Sequence, residues 1–114
     1  MVDCLFCKIA EREIPSQAVY EDDEILAFHD INPVAPVHIL VIPKKHIDSL
    51  EALAREDEQL AGRMLGVIRD IATEQGLDDR GWRVVVNTGQ RAGQSVKHLH
   101  FHILGGRDFG WPPG

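Results

Sequence analysis

Seven residues near the carboxyl end of the chain alternate between histidine and large apolar side chains. They are His98, Leu99, His100, Phe101, His102, Ile103 and Leu104. Successive side chains of a β-strand point to opposite faces of a sheet, so a strand here would place the three imidazoles on one face. The apolar side chains at positions 99, 101 and 103 would lie on the other face, where a helix can cover them. The sequence therefore predicts a final strand over residues 96–104 with one buried face and one histidine face.

The predicted histidine face carries three of the six histidines in a chain of 114 residues. Imidazole groups titrate near neutral pH and can attack an electrophile, transfer protons or donate hydrogen bonds to an anion. They can also bind a metal ion, but no carboxylate lies in this strand to complete a set of ligands. Plain solvation of an edge strand is the simpler alternative, although histidine is a poor choice for a solvated face when lysine, threonine and glutamate are available. We therefore interpret this face as a candidate catalytic surface.

The remaining patterns predict an α+β domain. Apolar residues recur at helical spacing over residues 57–75, where Gly62 and Gly66 make the helix depend on packing, which we expect to be close. Gly76 follows, where a helix end favours positive φ. A short N-terminal helix is predicted over residues 3–13, and the other strands are predicted over residues 18–21, 25–30, 37–42 and 82–87. We expect one domain, residues 1–114, with about five mostly antiparallel strands, one long helix and one short helix.

The charge balance bounds the class of protein. Twelve Lys and Arg residues against 18 Asp and Glu residues give a net charge of −6, which argues against a nucleic-acid partner because phosphate backbones need clustered cations. No apolar run reaches the roughly 18 residues that a membrane span needs. The first ten residues lack the basic start of a signal peptide, and two cysteines are too few to staple a secreted scaffold. The sequence therefore predicts a cytoplasmic protein without nucleic-acid or membrane partners.

The loop before the last strand and a cysteine pair are two further candidate sites. Gly89, Gly93, Gln94 and Ser95 precede the histidines, and glycine-rich backbone can bring N–H donors to a phosphate, although an ordinary turn is the alternative. Cys4-x-x-Cys7 can be redox-active, half of a zinc site, or simply two reduced thiols. No βαβ unit surrounds the pair, which argues against a thioredoxin-like role.

The histidine run resembles the His-x-His-x-His-x-x signature of the histidine triad (HIT) nucleotide-binding family, most closely its Hint branch. Further segments match that branch in order and spacing, and the similarity extends from about Phe6 to the last residue. These segments are Phe28-His29-Asp30-Ile31, Pro36-Val37-His38, Val41-Ile42-Pro43-Lys44-Lys45-His46, Val86-Asn87-Thr88-Gly89, Gly93-Gln94-Ser95, Gly105-Gly106-Arg107 and Trp111-Pro112-Pro113-Gly114.

The resemblance implies a hydrolase that cleaves nucleoside 5′-monophosphates such as AMP or GMP from amine, acyl or phosphate leaving groups. His100 would be the nucleophile, oriented by the main-chain carbonyl of His98. His102 and His38 would lie near the phosphate oxygens, and Ser95 would assist the leaving group. Asn87 and the backbone of Gly93 and Gln94 would hold phosphate or ribose.

The resemblance also implies where the rest of the substrate binds. Phe28, Asp30 and Ile31 match the nucleoside-binding positions, and Asp30 suits the ribose hydroxyls as a two-oxygen acceptor. Phe6 and Ile9 could line a purine slot or simply pack in the core. Hint members form homodimers in which the tail, here with Trp111, reaches toward the partner's active site. Helix residues such as Leu60 and Met64 could join that interface or pack on their own sheet.

No organic cofactor is implied, but a structural zinc is possible. Some branches with this cysteine pair bind zinc through Cys4, Cys7, His46 and His98, and other branches lack the cysteines. Two alternative functions remain: a nucleotide- and zinc-binding regulatory protein with little turnover, and a dinucleoside polyphosphate hydrolase, whose branch lacks the Trp-Pro-Pro-Gly ending.

Overall fold

The computed structural model describes residues 3–114 of the chain. Its helices and strands, in chain order, are α1 Leu5–Ala10, β1 Ala18–Glu21, β2 Ile25–His29, β3 Val37–Pro43, α2 Glu58–Glu74, β4 Trp82–Val86 and β5 Phe101–Gly105. Short 3₁₀ turns lie at Leu50–Ala52, Arg55–Asp57 and Gln90–Ala92. No helix within residues 3–114 is long and apolar enough to cross a membrane.

The five strands form one antiparallel sheet in the order β1-β2-β3-β5-β4. β3 lies at its centre and pairs with β5 in a register that sets Leu40 opposite His102 and His38 opposite Leu104. The predicted α+β fold, with one long and one short helix, is confirmed. β3 is buried along almost its whole length, so both of its faces are covered.

The two helices cover opposite faces of the sheet. Apolar residues of α2, including Leu60 and Met64, pack in a buried cluster with Leu99, Phe101 and Ile103. Phe6 and Ile9 of α1 pack in a second cluster. Leu60 and Met64 therefore pack on their own sheet, and the predicted separation of apolar and histidine faces is confirmed.

The final strand begins at Phe101 and not at residue 96, so its predicted start is wrong. Residues before Phe101 bond outside the ladder: the His98 N–H contacts the carbonyl of Val96 at 2.9 Å, and the Leu99 N–H contacts that of Ile47 at 2.6 Å. These bonds replace regular pairing with a neighbouring strand. The alternation of sides nevertheless continues, because Leu99 lies in the α2 cluster while His98 contacts the ring of Phe6 on the α1 side.

The helix ends follow one motif with two different residues. Gly76 has φ of +73° after α2, and its neighbour Leu77 donates back to Ala72 over 2.9 Å, as in a Schellman motif. Helix α1 is shorter than predicted because Arg12 adopts φ of +64° and Glu13 donates to Lys8 over 2.8 Å. The sequence indicated the end of α2 through Gly76. It did not indicate the end of α1, because a non-glycine residue in the left-handed region carries no such signal.

The two glycines inside α2 are not closely packed within the chain. A Cβ atom at Gly62 would meet no atom within 4 Å, and one at Gly66 would meet only the Arg69 guanidinium at 3.7 Å. The expectation of close packing at these positions is therefore not met in the single chain.

Candidate active site and metal cluster

A cavity of about 720 Å³ opens on the α1 side of the sheet. Six of the residues predicted from the sequence to act on or bind substrate line it. They are Phe28, Asp30, Ile31, Ser95, His100 and His102. The cavity combines an apolar wall from α1 and β2 with convergent polar side chains, which is the usual character of a small-molecule site.

His100 is held in one tautomer by the backbone of its neighbour. Its Nδ1 lies 2.7 Å from the carbonyl oxygen of His98, and a carbonyl can only accept, so Nδ1 carries the proton. The ring is buried and lines the cavity, with the Phe6 ring packed edge-on at 5.0 Å between centroids. In this tautomer the free lone pair is on Nε2, as a nucleophile requires.

A chain of hydrogen bonds fixes His38 and His102. The N–H of Val34 donates to Nδ1 of His38 over 3.1 Å, so the proton of the neutral ring is on Nε2. This Nε2 lies 2.9 Å from Nδ1 of His102 and donates to it. The proton of His102 is therefore on its own Nε2, which makes His102 a hydrogen-bond donor in the cavity wall.

Burial keeps these two rings neutral. Desolvation, helped by the nearby His100 and His38 rings, lowers the pKa of His102 to about 4. Desolvation also lowers the pKa of His38, although the Asp30 carboxylate acts in the opposite direction. At neutral pH these two rings are therefore uncharged, and the Nε2–H of His102 is an oriented dipole that can donate to an anion.

Cys4, Cys7, His46 and His98 converge at the start of α1, as the resemblance implied. The Cys7 Sγ lies 3.2 Å from Nδ1 of His46 and 3.6 Å from Nδ1 of His98, and the Cys4 Sγ lies 3.4 Å from Nδ1 of His98. Ligand atoms around a tetrahedral zinc with ordinary bond lengths are about 3.5 Å apart. The four side chains thus lie at spacings that suit one zinc ion.

Both histidines of this cluster are oriented for a metal. Nε2 of His98 donates to the carbonyl of Pro43 over 2.8 Å, and Nε2 of His46 donates to the Asp48 carboxylate over 2.7 Å. Each ring therefore turns an unprotonated Nδ1 toward the thiols. Oxygen acceptors that fix the other nitrogen are the common second contact of metal-binding histidines. Two sulfurs and two imidazoles form a donor set that suits zinc, so the residues fit a structural zinc site.

The Cys7 thiol is protonated when no cation is bound. Burial, reinforced by the neighbouring Cys4, raises the pKa of Cys7 to about 11. A bound cation would reverse this shift because it favours the thiolate.

Asp30 approaches His38 and His102 closely enough to form a second three-residue cluster. The resemblance implied a ribose contact for Asp30, but it did not indicate that the Asp30 Oδ2 lies 3.4 Å from Nε2 of His38. The Val34 N–H donates to Nδ1 of His38, so the proton of the His38 ring is on Nε2. Nε2 is the nitrogen that faces Asp30 and His102, and a metal bound between these residues would need it unprotonated. We therefore interpret this cluster as a hydrogen-bonded chain and the cysteine cluster as the metal site.

Four predicted substrate-binding residues lie apart from the cavity wall within residues 3–114: Asn87, Gly93, Gln94 and Trp111. The Gln94 carboxamide contacts backbone groups, and the Trp111 side chain is 83% exposed. His38 lies one hydrogen bond behind the wall, through His102.

Sequence reasoning missed several residues that line the cavity. They include Leu5, Ile14, Ser16, Gln17, His29 and Asn32. The one sequence signal for His29 and Asn32 was their position beside Asp30 and Ile31, which the resemblance assigned to nucleoside binding. Ser16 and Gln17 belong to the connection between α1 and β1, for which no pattern indicated a role.

Comparisons with known proteins show which family the chain is similar to. The profile of the HIT domain matches residues 11–109. An uncharacterized HIT-like protein of Synechocystis is 53% identical over 112 residues, covering 98% of this chain and 97% of the relative. Protein HitA of Neisseria gonorrhoeae is 52% identical over 105 residues, covering 92% and 97% respectively.

Solved structures extend the likeness to the fold. A HIT family hydrolase from Legionella pneumophila superposes with a TM-score of 0.96 at 48% identity, covering 98% of this chain and all of that one. A histidine triad protein from Clostridium difficile gives 0.92 at 54% identity, with 96% of each chain covered. A histidine triad nucleotide-binding protein from Candida albicans gives 0.84 at 34% identity, covering 96% of this chain and 83% of that one. The chain belongs to the HIT domain family.

Proposed function

We propose that the protein hydrolyses purine nucleoside phosphoramidates and related nucleotide conjugates, releasing AMP or GMP through a nucleotidyl-histidine intermediate on His100. The observation that carries the proposal is the 2.7 Å hydrogen bond from Nδ1 of His100 to the carbonyl of His98. It leaves the Nε2 lone pair available on a ring that lines the cavity. The solved relative described as a HIT family hydrolase supports hydrolytic chemistry.

In the first step, Nε2 of His100 forms a bond to the α-phosphorus while the bond from phosphorus to the leaving nitrogen breaks. The leaving amine needs a proton, which the Ser95 hydroxyl can relay from solvent because Ser95 is exposed and lines the same cavity. A positioned proton donor typically contributes a factor of about 10² to 10⁴ in rate.

In the second step, water attacks the phosphorus and the bond to Nε2 breaks. The proton released by water balances the proton taken up by the amine, so His100 returns to its neutral tautomer. The Nε2–H of His102, fixed through His38 and the backbone of Val34, donates to a phosphate oxygen in both steps.

The rest of the cavity suits a nucleoside. Its volume of about 720 Å³ lies within the range of small-molecule sites. Phe28 and Ile31 offer apolar contacts for a purine, and the Asp30 carboxylate can accept hydrogen bonds from ribose hydroxyls. A relative described as nucleotide-binding supports this assignment.

We also propose that Cys4, Cys7, His46 and His98 hold a structural zinc, which would cross-link α1 to the histidine segment. The carbonyl of His98, and not its ring, serves His100, so metal binding and nucleophile orientation are compatible.

A homodimer would complete the site. Trp111 is 83% exposed and Leu65 on α2 is 55% exposed, and large exposed apolar side chains favour burial against a partner. β4 lies at one edge of the sheet and is available for pairing. In this proposal the tail carrying Trp111 reaches the partner's cavity. A cytoplasmic location without nucleic-acid partners remains a prediction from composition.

The activity is tested with adenosine phosphoramidate and a fluorogenic nucleoside phosphoramidate, comparing the wild type with His100→Ala. We expect AMP release by the wild type alone. Nucleotide binding without release would favour the regulatory alternative, and release only from dinucleoside polyphosphates would favour the other hydrolase branch. Equal release by His100→Ala would contradict the proposed nucleophile.

A further inference from the structure

The side chain of Gln94 forms hydrogen bonds with the backbone on both sides of it in the same loop and with one distant residue. Its Oε1 accepts from the N–H of Gly89 over 2.9 Å, and its Nε2 donates to the carbonyls of Asp48 over 2.8 Å and Val96 over 3.0 Å. The carboxamide thus faces protein backbone, whereas the adjacent Ser95 lines the cavity.

The loop before Ser95 closes on Gln94. The main-chain N–H of Gln94 donates to the carbonyl of Gly89 over 3.1 Å, so Gly89 is paired with both the backbone and the side chain of Gln94. Gly89 and Gly93 have φ of +87° and +90°, conformations that permit this tight closure and that side-chain-bearing residues rarely adopt. The loop therefore has one anchor at its carboxyl end, directly before Ser95.

The same anchor reaches the candidate zinc site. Asp48 accepts the Gln94 carboxamide with its carbonyl and orients His46 with its carboxylate, over 2.8 Å and 2.7 Å. The Ser95 loop is thus fixed to the residue that orients a proposed zinc ligand.

We infer that Gln94 is a positioning residue, whose side chain holds the Ser95 hydroxyl in place for proton transfer to the leaving group. This inference rests on the proposed function, and it adds a role for the Gln94 side chain to the substrate contact expected of the Gln94 backbone. An amide is needed because the three contacts require one acceptor and two donors. Glutamate would keep the acceptor but set a carboxylate oxygen against two carbonyls.

The kinetic test compares Gln94→Glu, Ser95→Ala and the double variant. On a nucleoside phosphoramidate with a basic amine leaving group, we expect Gln94→Glu to lower kcat by about tenfold or more, with KM changed less than about twofold. On a nucleoside 4-nitrophenyl phosphate, whose leaving group needs no proton, the loss should be much smaller. The double variant should be no slower than Ser95→Ala alone. Equal losses on both substrates, or additive losses in the double variant, would overturn the inference.

A matched control and a second measurement separate this inference from the activity itself. Gln90 lies in the same loop and makes no side-chain hydrogen bond within residues 3–114, so Gln90→Glu should leave kcat unchanged. Amide hydrogen exchange at Gly89 should accelerate in Gln94→Glu and in Gln94→Ala but not in the control. Wild-type protein without turnover would overturn the proposed function, whereas unchanged exchange at Gly89 would overturn the role of Gln94 whatever the activity.

Discussion

The carbonyl oxygen of His98 accepts a hydrogen bond from Nδ1 of His100 over 2.7 Å, while the ring of the same His98 turns its Nδ1 toward Cys4 and Cys7. One residue therefore serves two sites, with its backbone orienting the proposed nucleophile and its side chain completing the candidate zinc cluster. Because the contact to His100 uses the backbone of His98, a metal held by the His98 ring would not compete for it.

Replacing His100 by Gln should abolish turnover and preserve binding. Glutamine fills a similar volume and can still donate to the His98 carbonyl, but it has no nitrogen lone pair for attack on phosphorus. We expect a loss of about three orders of magnitude or more in kcat, with AMP affinity, measured by calorimetry, changed less than about tenfold. A variant that retains a tenth of wild-type kcat would contradict the role of His100.

Protein purified without chelators should contain about one zinc per chain, as a Cys₂His₂ site binds. Cys7→Ser should bring the metal content close to zero in elemental analysis, whereas His29→Asn, which changes a cavity histidine outside the cluster, should leave it unchanged. Zinc added back to chelator-treated, metal-free wild type at 100 times its Kd should stabilise the protein by about 2.7 kcal/mol. Wild-type protein that is purified without zinc and is not stabilised by added zinc would contradict the proposed zinc site.

Gly105→Ala should destabilise the fold. A Cβ atom there would lie 2.6 Å and 2.7 Å from the two terminal carbons of Leu77, so we expect a loss of about 1–3 kcal/mol in the free energy of unfolding. Gly62→Ala, where a Cβ would meet no atom within 4 Å, should instead stabilise α2 by about 0.5–1 kcal/mol. Urea denaturation measures both. Similar effects of the two substitutions would show that the Leu77 side chain can move away from the new Cβ atom without lowering the free energy of unfolding.

The stability of the protein should fall in mild acid. Burial lowers the pKa of His102 from 6.5 to about 4, so below pH 6.5 the unfolded chain binds a proton at this residue that the folded chain does not. The free energy of unfolding should therefore decrease as pH falls from 6.5 to about 4, by linkage. In His102→Gln the decrease over this window should be smaller. An unchanged slope would show that His102 is not desolvated.

The wild type should sediment as a dimer, and Trp111→Ala should lower turnover with little change in thermal stability. The reason is that the Trp111 side chain is 83% exposed in the single chain, so its contacts would be made with a partner. Analytical ultracentrifugation and kinetics check this pair of expectations. A fully active monomer would contradict the shared site.

Regular periodicity made much of the fold predictable. Alternation at residues 98–104 separated the apolar face from the histidine face, and helical spacing located α2 and its end at Gly76. These patterns arise from local geometry, with periods of 2 and 3.6 residues, that the chain carries in its own order. The resemblance then supplied the four residues of the cysteine cluster, which the structure brings together.

Contacts between distant segments were not predictable from local patterns. The Leu99 N–H bonds to Ile47, which moves the start of β5, and Val34 fixes the tautomer of His38 through a backbone bond. The Gln94 carboxamide contacts Asp48, which lies 46 residues away in sequence. Each of these contacts depends on how loops distant in sequence pack together, and a periodic sequence pattern contains no information about that packing.

The most direct test of the mechanism is to trap the intermediate. Wild-type protein mixed with excess nucleoside phosphoramidate and quenched within one turnover in alkaline denaturant should gain the mass of one nucleoside monophosphoryl group, and fragmentation should locate it on His100. A burst of amine release that precedes nucleotide release should accompany it. Turnover at the full rate with the added mass absent, or located on another residue, would contradict the proposed mechanism.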